Sequence, residues 1–380
     1  METVIAAYDG LSRIGEILDG HEAKSIFLVT GRGSYSACGA KDVLDKALAD
    51  YRVERFFDFE INPKIEDGIR GAYAANAFGA DIILAVGGGS PMDVAKLIKA
   101  FMPDPASAEK IVLGEIPVAA GGPALICVPT TAGSGSEATH FAVVYIGKDK
   151  FSLASPSLLP NGRILDGALL RTASPYQRAV NGLDALAQAT EGAWAAKSTD
   201  KSRALSFAAI EALTMHLPQM VNQNKPTALQ AVMEAASQAG EVINITKTTA
   251  PHAFSYAFTS YHDIPHGHAV WMTLPAVFAF HLCANESTIT DPRGETHFRG
   301  VMEKLATLYG LKDADNCEST LKAFMVSLGI ESNMQALGAD TIEKRQFLAS
   351  KVNRERLVNN PVALSDNDIA RIFDFKAESC

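Results

Sequence analysis

Over the first half of the chain, short apolar runs alternate with segments of helical period. Ser25–Thr30 (SIFLVT) is a strand candidate that stops at Gly31-Arg32-Gly33-Ser34. Val53–Ile61 (VERFFDFEI) is a second, closed by Asn62-Pro63. Ala80–Ser90 (ADIILAVGGGS) runs straight into glycines, and Pro123–Glu137 (PALICVPTTAGSGSE) ends in a loop of small residues. Short apolar strands separated by helical segments predict a parallel sheet with helices on both faces. After about Pro175 the strand-like runs stop. Ala204–Leu217, Ala228–Ile243 and Gly267–Phe280 carry helical periodicity instead. The join lies in Leu170–Ala179 (LRTASPYQRA), where Thr172 or Ser174 would cap a helix begun by Pro175. The expected division is an α/β domain over residues 1–172 and an all-helical domain over residues 173–380. No repeat, low-complexity tract or long linker interrupts it.

Three loops at strand ends bring in chemistry. In Ala85–Lys96 (AVGGGSPMDVAK), Gly87, Gly88 and Gly89 let backbone N–H groups approach a ligand closely. The helix that follows adds donors and a positive dipole end suited to phosphate, with Ser90 and Asp93 near its start. The spacing matches neither GxGxxG nor a P-loop. Pro129–Thr139 (PTTAGSGSEAT) is a second such loop, with Thr130, Thr131, Ser134 and Ser136 as candidate donors. Ligands of open parallel sheets bind beyond the carboxyl ends of the strands. Two loops there predict a ligand as long as a dinucleotide, and Asn62 is placed at the same edge. The third loop holds Gly31, Arg32, Gly33 and Ser34, where a dinucleotide site often has an acid on the ribose. An arginine and a serine suit a 2′-phosphate, so NADP(H) is expected over NAD(H).

Composition narrows the class. With 380 residues and 47% hydrophobic content, the chain can bury real cores in one large or two ordinary domains. A formal net charge of −9 argues against nucleic acid or an anionic membrane as the main partner. Cys38, Cys127, Cys283, Cys317 and Cys380 are scattered without a CxxC spacing, which points to free thiols in a reducing compartment. The first twenty residues lack a basic n-region and a long apolar run, and no stretch offers about twenty uninterrupted apolar residues. A cytoplasmic location without signal peptide or membrane span is expected.

Val180–Trp194 (VNGLDALAQATEGAW) reads as a helix that carries Asp184, Gln188 and Glu191 along one side. Residues at i and i+4 face the same way about 6 Å apart, so Asp184 and Gln188 resemble half of a helix-borne metal site. Lys247–Trp271 contains four of the nine histidines: His252, His262, His266 and His268. The segment must bend for His252 and His266 to meet, and these two would supply the other half. Imidazole and oxygen donors suit Fe²⁺ or Zn²⁺.

Four ordered motifs, GGGSPMDVAK, PTTAGSGSEAT, GLDALAQATEG and IPHGHA, together resemble the iron-containing (group III) alcohol dehydrogenases, from about Ser25 to His281. The resemblance implies a dehydroquinate synthase-like fold, an N-terminal α/β dinucleotide-binding domain followed by an all-helical one. It further implies a nicotinamide cofactor and a divalent metal in the cleft between them, hydride transfer between NAD(P) and a primary alcohol or aldehyde, and a homodimer. Carried over by residue, the family's metal ligands fall on Asp184, Gln188, His252 and His266. Gln188 stands where the family has histidine. Tyr256 replaces a further histidine near the reacting carbon, and Gly31 replaces the common NAD-selecting aspartate.

The departures leave three readings of Gln188: a fourth, oxygen-donating ligand; a substrate contact beside three protein ligands; or a sign that the metal is lost. DALxQA and TTAPHAxSY resemble a branch of the family that reduces phosphonoacetaldehyde to 2-hydroxyethylphosphonate. Lys247, Arg163 and the serines of Ser152–Pro160 are candidate partners for a phosphonate. The expected reaction is reduction of a small aldehyde by NADPH with carbonyl polarisation by the metal, the proton relayed by Tyr256 or His262. A polyol dehydrogenase or cyclase of the same fold, and a nucleotide-binding module without catalysis, are the alternatives. Residues 310–380 carry no legible chemistry.

Overall fold

The computed structural model describes residues 2–312, 314–352 and 354–375. Eight strands occur among them: β1 (Thr3–Ala6), β2 (Ser25–Thr30), β3 (Arg52–Phe56), β4 (Ile82–Gly87), β5 (Ala124–Pro129), β6 (Phe141–Ile146), β7 (Asp149–Ala154) and β8 (Gly162–Leu165). Six form one parallel sheet in the order β1-β8-β5-β4-β2-β3, and β6 and β7 form an antiparallel hairpin. Every residue of β2 and β4 is buried. Strands covered on both faces favour apolar residues on both sides, which is why these two read as near-continuous apolar runs. Thr30 pairs with Val86 and Gly87 with Pro129, so β2, β4 and β5 end level with one another.

The chain divides into two compact units. One runs to Ala173 and takes in Lys225–Gly240; the other comprises Ser174–Asn224 and the chain from Glu241 onward. The second is helical. Its helices include α2 (Pro175–Trp194), α3 (Asp200–Gln223), α5 (Ala250–His262), α6 (His266–Trp271) and α7 (Leu274–Leu282); α1 (Gly89–Phe101) belongs to the sheet unit, and α4 (Pro226–Thr246) contributes to both. The sheet unit's share of α4 is tied there by Gln230. The side chain of Gln230 accepts from Gly167 N (2.8 Å) and donates to Leu165 O (3.0 Å). Sequence periodicity alone assigned all of this helix to the helical half.

Ser174 caps α2 in a capping box with Gln177, and Pro175 opens the helix. The predicted helix Gly267–Phe280 is broken into α6 and α7 at Met272-Thr273. No helix among the described residues is long and apolar enough to cross a membrane. The four described cysteines are free thiols, and Cys380 lies outside the described residues.

His281 on α7 is fully enclosed, its ring 4.6 Å from that of Trp194 and its Nε2 accepting from Asn360 (3.2 Å). Burial pushes its pKa down to about 3 from 6.5. Above pH 6.5 it is neutral folded or unfolded. As pH falls from 6.5 toward 3 only the unfolded chain takes the proton, so stability drops by up to about 1.4 kcal/mol per pH unit. Urea unfolding at pH 7 and pH 5 is expected to show His281→Gln losing roughly 2 kcal/mol less than the parent over that interval. Equal losses would show that this histidine does not set the acid limit.

Candidate active site

In the sheet unit the glycine loop after β4 and the small-residue loop after β5 meet. Thr130 N donates to Gly87 O (2.8 Å). A side chain at Gly88 would contact Thr131, and one at Gly89 would contact Ser134. Ser90 and Asp93 lie on α1, and Asp93 accepts from the Ser136 hydroxyl (2.9 Å). Beneath the loops sits a residue that the sequence reading missed, the fully buried Lys96. Its ammonium donates to Ser136 O (2.6 Å), Ser136 Oγ (3.1 Å), Thr139 Oγ1 (3.1 Å) and Phe141 O (2.9 Å). Burial pushes Lys96 down and Asp93 up, and each one's charge opposes that shift in the other. The network locks the second loop to the helix that carries the first. An i, i+3 Asp–Lys pair inside an otherwise apolar helix face was the available signal.

The loop after β2 is framed by cations. Arg32 pairs with Asp58 (2.6 Å), both well exposed. Arg55 donates to Thr30 Oγ1 (2.8 Å) and Gly31 O (3.1 Å), with its guanidinium over the rings of Tyr35 and Phe57. A Cβ at Gly31 would lie 2.2 Å from the Ser34 hydroxyl, so the turn is closed to larger residues unless Ser34 moves. Gly33 precedes the short helix that contains Ser34, and Asn62 sits exposed in a left-handed turn (φ 66°). Arg163 is corrected as a phosphonate partner. It is buried on β8, ion-paired with Glu2 (3.1 Å) and bonded to Ser237 (3.1 Å).

In the helical unit, α2 is buried from Arg178 to Trp194 apart from Asn181, polar side chains included. It tolerates this because its neighbours pack on glycine. Any Cβ at Gly182 would strike Leu217 of α3 (2.2 Å), and one at Gly267 of α6 would strike Val180 O (2.1 Å). The chain reverses after α5 through Asp263 in a left-handed conformation (φ 53°), which supplies the expected bend and brings His266 back to His252. The ring centroids of these histidines are 5.3 Å apart. Asp184 Oδ1 lies 3.3 Å from His252 Nε2 and 4.0 Å from His266 Nε2. Donor atoms of Asp184, His252 and His266 all fall within 4.8 Å of one another.

Two oxygens in this cluster are buried without a hydrogen-bond donor: Asp184 Oδ1 and Gln188 Oε1. A buried carboxylate oxygen faced only by imidazole nitrogens 3.3 and 4.0 Å away, beside a buried amide oxygen with no donor, is costly unless a cation satisfies both. Two imidazole nitrogens complete a donor set that fits a divalent metal. Burial would raise the pKa of Asp184, but the imidazoles and the Gln188 amide outweigh it and hold the carboxyl below its ordinary value. Burial opposes a charge on His252, yet Glu191 and Asp184 together push it up to about 10. A proton and a metal therefore compete for this ligand.

Tyr256, one turn after His252, lies with its ring centroid 6.1 Å from that of His266. The other candidates are not brought to the cluster. His262 ends α5, ten residues and so about 15 Å along the helix from His252, and its ring packs against Gly338. His268 is buried with both nitrogens engaged, by Tyr176 OH (3.1 Å) and Glu331 O (2.7 Å), which makes it a core histidine. Lys247 is exposed at the end of α4 in a left-handed conformation (φ 59°).

Known proteins share this fold. The family model for iron-containing alcohol dehydrogenase matches residues 2–167, and that for the Fe-containing alcohol dehydrogenase C-terminal region matches residues 178–376. Phosphonoacetaldehyde reductase from Streptomyces viridochromogenes is 30% identical, over 80% of this chain and 78% of its own length. The bifunctional aldehyde-alcohol dehydrogenase of Escherichia coli is 28% identical over 88% of this chain, which spans only 40% of that longer protein. Sulfoacetaldehyde reductase from Bifidobacterium kashiwanohense, solved with NAD⁺, superposes with a TM-score of 0.86 at 26% identity, covering 98% of this chain and 96% of its own. The chain thus belongs to the iron-containing alcohol dehydrogenase family and is an NAD(P)-dependent alcohol dehydrogenase or aldehyde reductase.

Proposed function

We propose that this enzyme reduces a small aldehyde with an anionic head group, phosphonoacetaldehyde being the leading candidate, to the primary alcohol with NADPH. The observation that carries the proposal is the pair of orphaned oxygens on Asp184 and Gln188 facing His252 and His266. Gln188 is thereby read as the fourth ligand, an oxygen donor in place of imidazole. When bound, the metal supplies Lewis-acid polarisation of the carbonyl oxygen and the nicotinamide supplies hydride. Asp184 contributes the one carboxylate of the donor set and neutralises part of the cation's charge. Tyr256 places a phenol beside His266, where it could pass a proton to the developing alkoxide. The anionic head group is supported by the relatives above, whose names specify aldehydes carrying a phosphonate or a sulfonate.

NADPH is supported by the absence of a side chain at Gly31 and by Arg32 and Arg55 around that turn. The glycine loop, Thr130, Thr131, Ser134 and Ser136 would receive the pyrophosphate side of the cofactor. NADPH is expected to exceed NADH in kcat/KM by at least about tenfold, a difference of ~1.4 kcal/mol. Gly31→Asp is expected to erase that preference, and equal use of both cofactors by the parent would refute it. The homodimer and cytoplasmic location expected from the sequence stand as parts of the same proposal.

A further inference from the structure

Glu191 completes the polar side of α2 and is fully buried. Both of its oxygens are engaged. Oε1 meets His252 Nδ1 in a short hydrogen bond, and Oε2 accepts from the Thr249 backbone N–H (2.6 Å) and hydroxyl (2.8 Å). The Thr249 hydroxyl in turn accepts from Trp194 Nε1 (2.9 Å). Indole N–H is only a donor, and a carboxylate is only an acceptor. The polarity of the chain Trp194 to Thr249 to Glu191 is therefore set, with the carboxylate as its sink.

We propose that Glu191 is a positioning residue for the metal centre: it accepts the Nδ1 proton of His252 and so fixes the tautomer whose Nε2 lone pair faces Asp184 Oδ1. Only one ring nitrogen of a neutral imidazole carries hydrogen, so binding that hydrogen at Nδ1 leaves Nε2 as a ligand atom. A carboxylate behind a ligating histidine also raises its donor strength and holds its plane. Glu191 matters more here than it would beside three imidazoles, because Gln188 offers a weaker donor than the histidine it replaces. Thr249 precedes α5 and His252 lies three residues on, so the same carboxylate ties the end of α2 to the start of α5.

The role rests on the metal reading of Asp184, Gln188, His252 and His266, and the test separates the two. Chelator-stripped parent, Glu191→Gln and Thr249→Val are titrated with Co²⁺, reading the visible absorption of the bound ion, and are melted without metal. Glu191→Gln is expected to bind Co²⁺ about 10- to 100-fold more weakly, with an altered absorption band. Thr249→Val leaves the His252 contact intact and is expected to change affinity less than about threefold although its melting point falls. If Glu191→Gln fails to fold, Glu191→Asp, which shortens the reach to His252, carries the same expectation of weaker binding. Parent-like affinity and spectrum in the Glu191 variant would overturn the positioning role alone. Failure of the parent to bind Co²⁺ would overturn the metal reading and this role with it.

Discussion

Replacing His266 by Ala is expected to remove metal and turnover together while leaving the fold in place. The His266 side chain is 40% exposed, at the start of α6, and fills no core cavity. Truncating such a residue typically changes stability by no more than about 0.5 kcal/mol. Its Nε2 nevertheless lies 4.0 Å from Asp184 Oδ1, and its ring is 5.3 Å from that of His252 and 6.1 Å from that of Tyr256. Losing one of two nitrogen donors leaves an aspartate, an amide and a single imidazole, a set too weak to hold a catalytic ion at low concentration. Turnover is expected to fall at least about a hundredfold, the scale of losing a main electrostatic contact to the transition state. Metal content, turnover and melting temperature of the purified variant check this. Undiminished turnover in the presence of chelator would remove the cation from the account.

Gly267→Ala is expected to do comparable damage without replacing a ligand. A Cβ at 267 would lie 2.1 Å from Val180 O, 2.9 Å from Asp184 Cβ and 3.0 Å from Asp184 N. Backbone atoms of a buried helix cannot rotate away, so α6 must lift from α2 and carry His266 with it. Overpacking of this kind costs about 1–3 kcal/mol. The contrast with His266→Ala is diagnostic: one variant loses metal at nearly full stability, the other loses both. A Gly267→Ala protein that melts and binds metal like the parent would show that the close approach of the two helices is dispensable.

Much of this was legible in the sequence, for reasons that differ by residue. Strand β2 has the bounds that its run predicts, because a doubly covered strand is apolar through its centre, Ile26–Val29, with small hydroxyl residues only at its ends. Ser174 and Pro175 mark the start of α2 through local chemistry alone. By contrast β1 is four residues long at a sheet edge with one buried position, and β8 contains a buried arginine, so neither shows a strand's pattern. The β6–β7 hairpin likewise lay hidden in a region read as alternating strands and helices. Composition could count four histidines in a short segment, but it could not tell ligands from core. His268 is claimed by Tyr176 and by Glu331 O, far away in sequence, and His262 by its place at the far end of α5. Lys96, Arg163 and Glu191 share that limit. Each is a charge whose meaning depends on partners 40 or more residues distant.

The central claim is that Asp184, Gln188, His252 and His266 hold a divalent ion that this enzyme needs to reduce an aldehyde. Its most direct test is NADPH oxidation by metal-stripped protein before and after addition of one equivalent of Fe²⁺ or Zn²⁺, with phosphonoacetaldehyde and an uncharged aldehyde of similar size as substrates. The expected result is no turnover without metal, recovery on reloading, and a higher kcat/KM for the phosphonate. Full turnover by the stripped protein would contradict the metal centre, and preference for the uncharged aldehyde would contradict the proposed substrate class.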